Sequence, residues 1–299
     1  MELDWGHCHP MGDAAGFTIP NPYDDTQDQE ADATLVAPLK AFKRRRLSSD
    51  TKLQDGDWDT SRTMDDLDSS LLDALSLGSI TEVLGPSRSG KTTLLCQLAV
   101  LAQQPQQHLQ GKTGRALYID VDGAFRPQRV AQIAAGRGMQ PDEVMDRLYC
   151  ARCGSFAQLL DFLDSLPRLL SEEPQIVLIL IDSVIGILCC SFSDEAEVCH
   201  EASNLCYRVL SQLRWLAEEF KVAVGVSNGE VMVMDHTGMT TEQSMLWDAP
   251  GCDISQFVSS QIRLSTHPSG AQSRMISIQE KTFQVEMRDA GLHRVSRRV

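Results

Sequence analysis

Apolar and polar residues take on structural periods only from about Asp65. Before that, residues 1 to about 62 are dominated by Pro, Asp, Gln and Thr without apolar periodicity, which predicts a disordered acidic tail over 1–62 and one folded domain over 63–299. Within the folded part the period switches repeatedly between that of strands and that of helices. Ser79–Leu84 predicts a strand, and Lys91–Gln103 a helix with Leu94, Leu95, Leu98, Leu101 and Ala102 on or near one face. Ala116–Val121 predicts a second strand, Val130–Gly136 a short helix, Leu148–Ala151 a strand, and Phe156–Leu170 a helix bent or ended near Pro167. Ile176–Asp182 is apolar up to its last residue, as a strand buried on both faces requires. Glu197–Phe220 predicts a long helix, with Val198, Ala202, Leu205, Val209, Leu213, Leu216 and Phe220 at spacings of three and four, and Val222–Ser227 another apolar strand. This alternation predicts right-handed βαβ units: an α/β fold with a mostly parallel central sheet flanked by helices. The end of the chain differs. Val258–Ser265 alternates, Pro268-Ser269-Gly270 predicts a turn, and Arg274–Gln279 alternates again, giving a C-terminal antiparallel hairpin region.

Composition narrows the function. The net charge is -14. Residues 1–75 hold 16 acidic against 7 basic side chains, and residues 76–299 hold 25 against 20, so the folded part is only mildly acidic. Neither part offers the basic excess by which a protein holds nucleic acid unaided. The apolar run at residues 176–181 is too short to span a bilayer, and no secretory leader is seen, so a soluble intracellular protein with reduced thiols and no membrane partner is expected. Of the nine cysteines, Cys150 and Cys153 are the one pair at metal spacing; without a second pair they read as a buried strand-end pair, and His7-Cys8-His9 reads as tail. Lys43-Arg44-Arg45-Arg46, in the tail, has the composition of a nuclear import signal and equally that of a solvated charge run.

One motif carries chemistry. Gly85-Pro86-Ser87-Arg88-Ser89-Gly90-Lys91-Thr92 fits G-x-x-x-x-G-K-[ST], after a predicted strand and at the opening of a predicted helix. Its glycines let successive N–H groups face inward, and the helix start adds partial positive charge, so the loop cradles phosphates. Lys91 reaches the β and γ oxygens of a nucleoside triphosphate, most simply ATP, with the hydroxyl of Thr92 on Mg²⁺ and Thr93 completing the cradle. Asp182, at the carboxyl end of its apolar strand, is placed to hold the water shell of the metal. Lys91 and Asp182 are candidate catalytic residues, and Thr92 and Asp182 the candidate metal residues.

A longer pattern adds a resemblance. Gly78-Ser79-Ile80-Thr81-Glu82, the phosphate loop, the segment from Tyr118-Ile119-Asp120-Val121-Asp122-Gly123 through Phe125-Arg126-Pro127 to Arg129, and the strand ending Asp182-Ser183 together resemble the eukaryotic branch of the RecA-type recombinases from about Met64 onward. The resemblance implies a RecA-like P-loop ATPase core. It implies that Asp122 stands where the family has the glutamate that polarises the attacking water, that Arg129 stacks on adenine, and that Asn228 is the first of the Asn-Gln pair that senses the γ-phosphate.

Several features depart from an active recombinase. Asp122 is one methylene short, and a shift of about 1 Å can cost about 100-fold in rate, so weak DNA-dependent hydrolysis is expected. Gly229 replaces the second sensor residue. Residues 189–201, where the first DNA loop is expected, carry Asp194, Glu195, Glu197 and Glu201 and no Lys or Arg; residues 230–253, the second, also lack both. The acidic tail shows no counterpart of the family's N-terminal helical domain, and Phe17-Thr18-Ile19-Pro20 is the nearest approach to its Phe-x-x-Ala docking tetrapeptide. Arg294, Arg297 and Arg298 form a basic cluster that could meet DNA phosphate or be a frayed end. The resemblance with these absences implies a nuclear recombinase paralogue: an accessory subunit of homologous recombination and double-strand break repair. Its expected partners are other paralogues and the main recombinase in a hetero-oligomer, with single-stranded or branched DNA met as part of that complex. The competing expectations are an autonomous DNA-dependent ATPase or strand-exchange protein, and a non-catalytic P-loop scaffold.

Overall fold

Six strands form the parallel part of the sheet, and the chain order wraps helices around it. The computed structural model describes residues 65–104, 114–183, 196–234, 240–244, 256–266 and 273–295, with 37–38 as backbone. In chain order the elements are β1 (Ala37–Pro38), α1 (Asp66–Asp73), β2 (Ile80–Gly85), α2 (Lys91–Leu101), β3 (Arg115–Asp120), α3 (Pro127–Gly136), α4 (Pro141–Asp146), β4 (Leu148–Arg152), α5 (Phe156–Glu172) and β5 (Ile176–Asp182). They continue with α6 (Ala196–Phe220), β6 (Ala223–Met234), β7 (Thr240–Ser244), β8 (Val258–Thr266), β9 (Ser273–Ile278), β10 (Lys281–Arg288) and β11 (Gly291–Arg294). The strand order is β1-β4-β3-β5-β6-β2-β8-β9-β10-β11, with β7 beside β6. Strands β4, β3, β5, β6, β2 and β8 run parallel; β8 to β11 form an antiparallel meander. The fold is thus α/β, a mostly parallel sheet with an antiparallel C-terminal extension.

Two apolar layers cover the sheet. Alternate residues of the strands (Val83, Ala116, Tyr118, Leu178, Leu180, Ala223) join α1, α2, α3 and the C-terminal meander on one face. Their neighbours (Ile80, Leu117, Ile119, Ile179, Ile181, Val224, Val226) join α5 and α6 on the other. All seven residues of β5 are buried, as its composition requires.

Several elements differ from the sequence expectation, for identifiable reasons. Helix α2 is enclosed on every side: all residues from Leu94 to Leu101 are buried, so its apolar stripe is not a face. The polar exception, Gln97, is satisfied by Asp68 and by the backbone of Leu292. Helix α5 runs through Pro167 to Glu172, with the Ser165 hydroxyl donating to the Phe162 carbonyl in the turn before the ring. Helices α1 and α4 were absent from the expectation; α1 is started by Asp65, whose carboxylate accepts the N–H of Leu67 (2.9 Å). Strand β6 extends seven residues past Ser227 to Met234 and pairs antiparallel with β7, so part of the expected second loop is a hairpin. Residues 1–36 and 39–62, the Pro268-Ser269-Gly270 turn, Asp194, Glu195, Arg297 and Arg298 lie outside the described residues. Cys150 and Cys153 are both buried, on opposite faces of the sheet, so they do not converge on one ion. Among the described residues no helix is long and apolar enough to cross a membrane.

Candidate nucleotide site

The carboxyl ends of the parallel strands converge on one edge, where open α/β sheets place their ligands. Strand β2 delivers Gly85 there, and the chain turns tightly into α2. A Cβ on Gly85 would lie 2.6 Å from the Leu264 carbonyl oxygen and 2.8 Å from Ser89 Oγ, so only glycine fits. Gly90 precedes the helix with φ +108° and contributes no side-chain cap, and Arg88 also takes a left-handed φ of 63°. Ser87 and Arg88 are exposed, and Pro86, Gly90, Lys91, Thr92 and Thr93 are half-buried.

Two observations fit this loop to a triphosphate. The start of α2 presents backbone N–H groups with no side-chain acceptor at its cap. The Ser89 hydroxyl is buried with no hydrogen-bond partner among the described residues. Lys91 Nζ donates to the carbonyls of Gly85 (2.8 Å) and Pro86 (3.0 Å), which folds its ammonium back over the loop's own concavity.

Asp182 is buried at the tip of β5. Its Oδ2 accepts the Tyr118 hydroxyl (2.8 Å) and its Oδ1 the Ser227 hydroxyl (2.6 Å). Each oxygen keeps a further lone pair, so the carboxylate can still accept from metal-bound water. Burial, reinforced by the charge of Asp182, raises the Tyr118 phenol well above its usual range, so it stays a donor. Asp122 follows β3, and its Oδ2 accepts the Ser183 hydroxyl (3.1 Å). The residue is exposed, and its carboxyl is partly shielded on the side of Ser183. Desolvation first, then the charges of Asp182 and Asp120, lift its pKa above the ordinary value, against the lowering effect of the Ser183 bond.

The remaining expected residues fall elsewhere. Arg129, on α3, donates to the carbonyl (3.2 Å) and carboxylate (3.5 Å) of Asp289 in the β10–β11 turn. Asn228 is fully buried on the α5/α6 face of the sheet, opposite Asp182, and its Nδ2 donates to the buried carboxylate of Glu82. Gln261 Nε2 donates to the other oxygen of that carboxylate (2.8 Å). The residue of β6 that faces the phosphate-loop side is Ser227. Arg294 lies over the Phe283 ring and pairs with Asp66 (2.6 Å). Sequence reasoning gave no role to Tyr118, Ser183, Ser227 or Arg152. Arg152 and Ser183 stand at the carboxyl ends of strands, and Tyr118 and Ser227 are polar residues within apolar stretches, which is the signal the sequence offered.

A family model described as Rad51 matches residues 59–290. The chain belongs to the Rad51 family. This Rad51-family chain is 40% identical over 149 residues to a meiotic recombination protein DMC1 homolog A of Oryza sativa subsp. japonica, covering 50% of this chain and 42% of that protein. It is 36% identical over 169 residues to the DNA repair protein RAD51 of Saccharomyces cerevisiae, covering 56% and 42%. To the DNA repair protein rhp51 of Schizosaccharomyces pombe it is 34% identical over 169 residues, covering 56% and 46%. The matched stretch thus spans under half the length of these relatives.

Proposed function

We propose that this chain is an ATP-binding accessory subunit of homologous recombination and double-strand break repair. It assists a recombinase filament within a heteromeric complex of related paralogues and hydrolyses ATP slowly. The observation that carries the nucleotide reading is the phosphate loop: a glycine-bounded turn, an uncapped helix start, Lys91 over the concavity and the buried Ser89 hydroxyl. Ser89, Gly90, Lys91, Thr92 and Thr93 hold the phosphates, Thr92 and Asp182 hold Mg²⁺ and its water, and Arg129 meets the base. Bound Mg²⁺ supplies charge neutralisation on the phosphate oxygens. Asp182 is oriented for its part by Tyr118 and Ser227, and Asp122, with Ser183, polarises water.

The accessory role rests on sequence. Residues 189–201 and 230–253 hold no Lys or Arg, so these two segments supply no phosphate neutralisation along DNA, which favours a role beside subunits that do. Gly229, in register with Gly85 across the β2–β6 pair, offers no side chain to answer the γ-phosphate. The basic run at residues 43–46 supports nuclear import, and residues 1–62 act as a tail to a domain over 63–299. The resemblance to proteins named for recombination and repair supports a second reading, an autonomous DNA-dependent ATPase.

One experiment separates these. The tagged chain and its K91A variant are recovered from nuclear extract with and without Mg-ATP, and ATP turnover of the lone chain is measured with and without single-stranded DNA. ATP-dependent recovery of related ATPase subunits, lost in K91A, with little DNA stimulation, supports the accessory role. A monomeric chain whose turnover rises strongly with DNA overturns it. Equal partner recovery by both variants makes the loop a relic.

A further inference from the structure

Arg152 ends β4 at the same sheet edge, in parallel register with Asp120. Its Nη1 donates to the carbonyls of Val121 (2.6 Å) and Asp120 (3.2 Å) and lies 3.6 Å from Asp120 Oδ1. That fully buried carboxylate accepts the N–H of Ala124 (3.1 Å) in turn, closing the turn that carries Asp122. From the other side the Asp182 carbonyl accepts the N–H groups of Val121 (2.7 Å) and Asp122 (3.2 Å). Gly123 takes φ +71°, and a Cβ there would come within 2.9 Å of Arg152 Nη2, so the guanidinium lies close against the turn. The peptide bearing Asp122 is thus clamped between the β5 backbone and one guanidinium.

We propose that Arg152 is a positioning residue for nucleotide hydrolysis: it fixes the turn over residues 120–124 and so sets where the Asp122 carboxylate stands. This rests on the reading of Asp122 as the group that polarises water. All three contacts run through Nη1, while Nη2 lies against Gly123, so the planar guanidinium packs on the turn as well as bonding to it, which a lysine ammonium reproduces only in part. Without it, Asp120 keeps a buried charge that has lost its neighbouring cation, and the carbonyls of residues 120 and 121 lose a charged donor.

The test compares the full chain with R152M, R152K, D122N and R152M/D122N. The first readout is amide hydrogen exchange. In R152M, exchange at Val121, Asp122 and Ala124 is expected to rise about tenfold or more while Leu94 to Leu98 stay protected. The second is affinity for a fluorescent ATP analogue, expected within about twofold of the original because the phosphate loop is untouched. The third is single-turnover hydrolysis. Its rate is expected to fall about 10–100-fold in R152M, to be partly restored in R152K, and in the double variant to fall no further than in D122N alone. Unchanged exchange at the turn overturns the clamp. Losses that multiply in the double variant show that Arg152 does not act through Asp122 and overturn its positioning role. A chain that binds the analogue yet shows no turnover overturns both this inference and the hydrolytic reading. A chain that binds no analogue overturns the nucleotide site itself, and exchange then still decides whether the turn is clamped.

Discussion

A single methylene separates Asp122 from the glutamate that the family resemblance places there, and the surroundings of Asp122 sharpen that difference. Its carboxyl accepts the Ser183 hydroxyl at 3.1 Å, on a turn whose backbone is bonded to the end of β5. A longer side chain on the same turn would project further from that backbone. The raised pKa brings Asp122 nearer to neutrality, which strengthens it as a proton acceptor wherever it remains ionised. On the proposed role of Asp122, reach rather than basicity is expected to limit the rate. D122E is expected to speed single-turnover ATP hydrolysis by about 10–100-fold, with analogue affinity unchanged. A rate equal to or below the original would show that carboxylate reach does not limit the reaction. At this scale the sequence was most legible where the backbone itself makes the site. The glycines at 85 and 90 and the lysine at 91 are legible because their chemistry is set by the loop they form. Ser227 and Asn228 were not: adjacent residues of a strand point to opposite faces, and which face holds the nucleotide depends on the register of β6 against β5 and β2.

Elements α1, α2, α3 and β11 meet in one polar network beneath the apolar surface. Arg137 pairs with Asp68 through Nε–Oδ2 (3.0 Å) and Nη2–Oδ1 (3.1 Å), and it donates to the Ala290 carbonyl (2.6 Å). Gln97 Nε2 donates to Asp68 Oδ1 (2.6 Å), and Gln97 Oε1 accepts the Leu292 N–H (2.9 Å). The pair is 7% and 10% exposed, so removing one partner strands a buried charge. D68A is expected to cost about 3–5 kcal/mol by denaturant unfolding. R168A, at the exposed Arg168–Glu172 pair, is expected to change stability by no more than about 0.5 kcal/mol. Similar losses in both would mean that burial is not what gives the Asp68 pair its weight.

His293 borders the same network. Burial first, then the Arg137 charge, lowers its pKa below the ordinary value, so the unfolded chain binds the proton more readily than the folded one. Its contribution is therefore complete above the unfolded value near 6.5 and is lost as pH falls below it. Melting curves between pH 7.5 and 5 should show a smaller acid loss in H293Q than in the original; identical slopes would remove His293 as a source. The network also marks the limit of sequence reading for elements. Strand β5 was readable to the residue because double-sided burial requires its six apolar positions in a row, closed by Asp182. The ties of helix α1 to β10 and β11, and of Gln97 in α2 to Leu292, join residues more than a hundred positions apart, and a local period carries no trace of them.

At the scale of the whole molecule, the phosphate loop is also a mechanical junction. Leu264 of β8 stands over Gly85, Met287 of β10 over Gly90, and the Arg274 guanidinium of β9 donates to the Arg88 carbonyl at 3.4 Å. The C-terminal meander thus packs on the loop that starts α2, while β6 runs beside it into the β6–β7 hairpin. A ligand that binds the loop joins the N-terminal and C-terminal parts of the sheet, and it stabilises the folded chain as a whole rather than one segment. At a nucleotide concentration a hundredfold above Kd, the gain is about 2.7 kcal/mol, which for a domain of this size raises the melting temperature by about 5–11 °C. The expected result is one transition, shifted upward by Mg-ATP or a non-hydrolysable analogue, with amides of β8 to β11 gaining protection alongside those of α2. K91A loses a charged phosphate contact of about 1.5–3 kcal/mol, so the shift at the same nucleotide concentration should shrink accordingly. A shift confined to a separate transition, with β8 to β11 unprotected, would mean that the meander and the loop are mechanically independent. An equal shift in K91A would mean that the nucleotide binds somewhere other than the glycine-bounded turn.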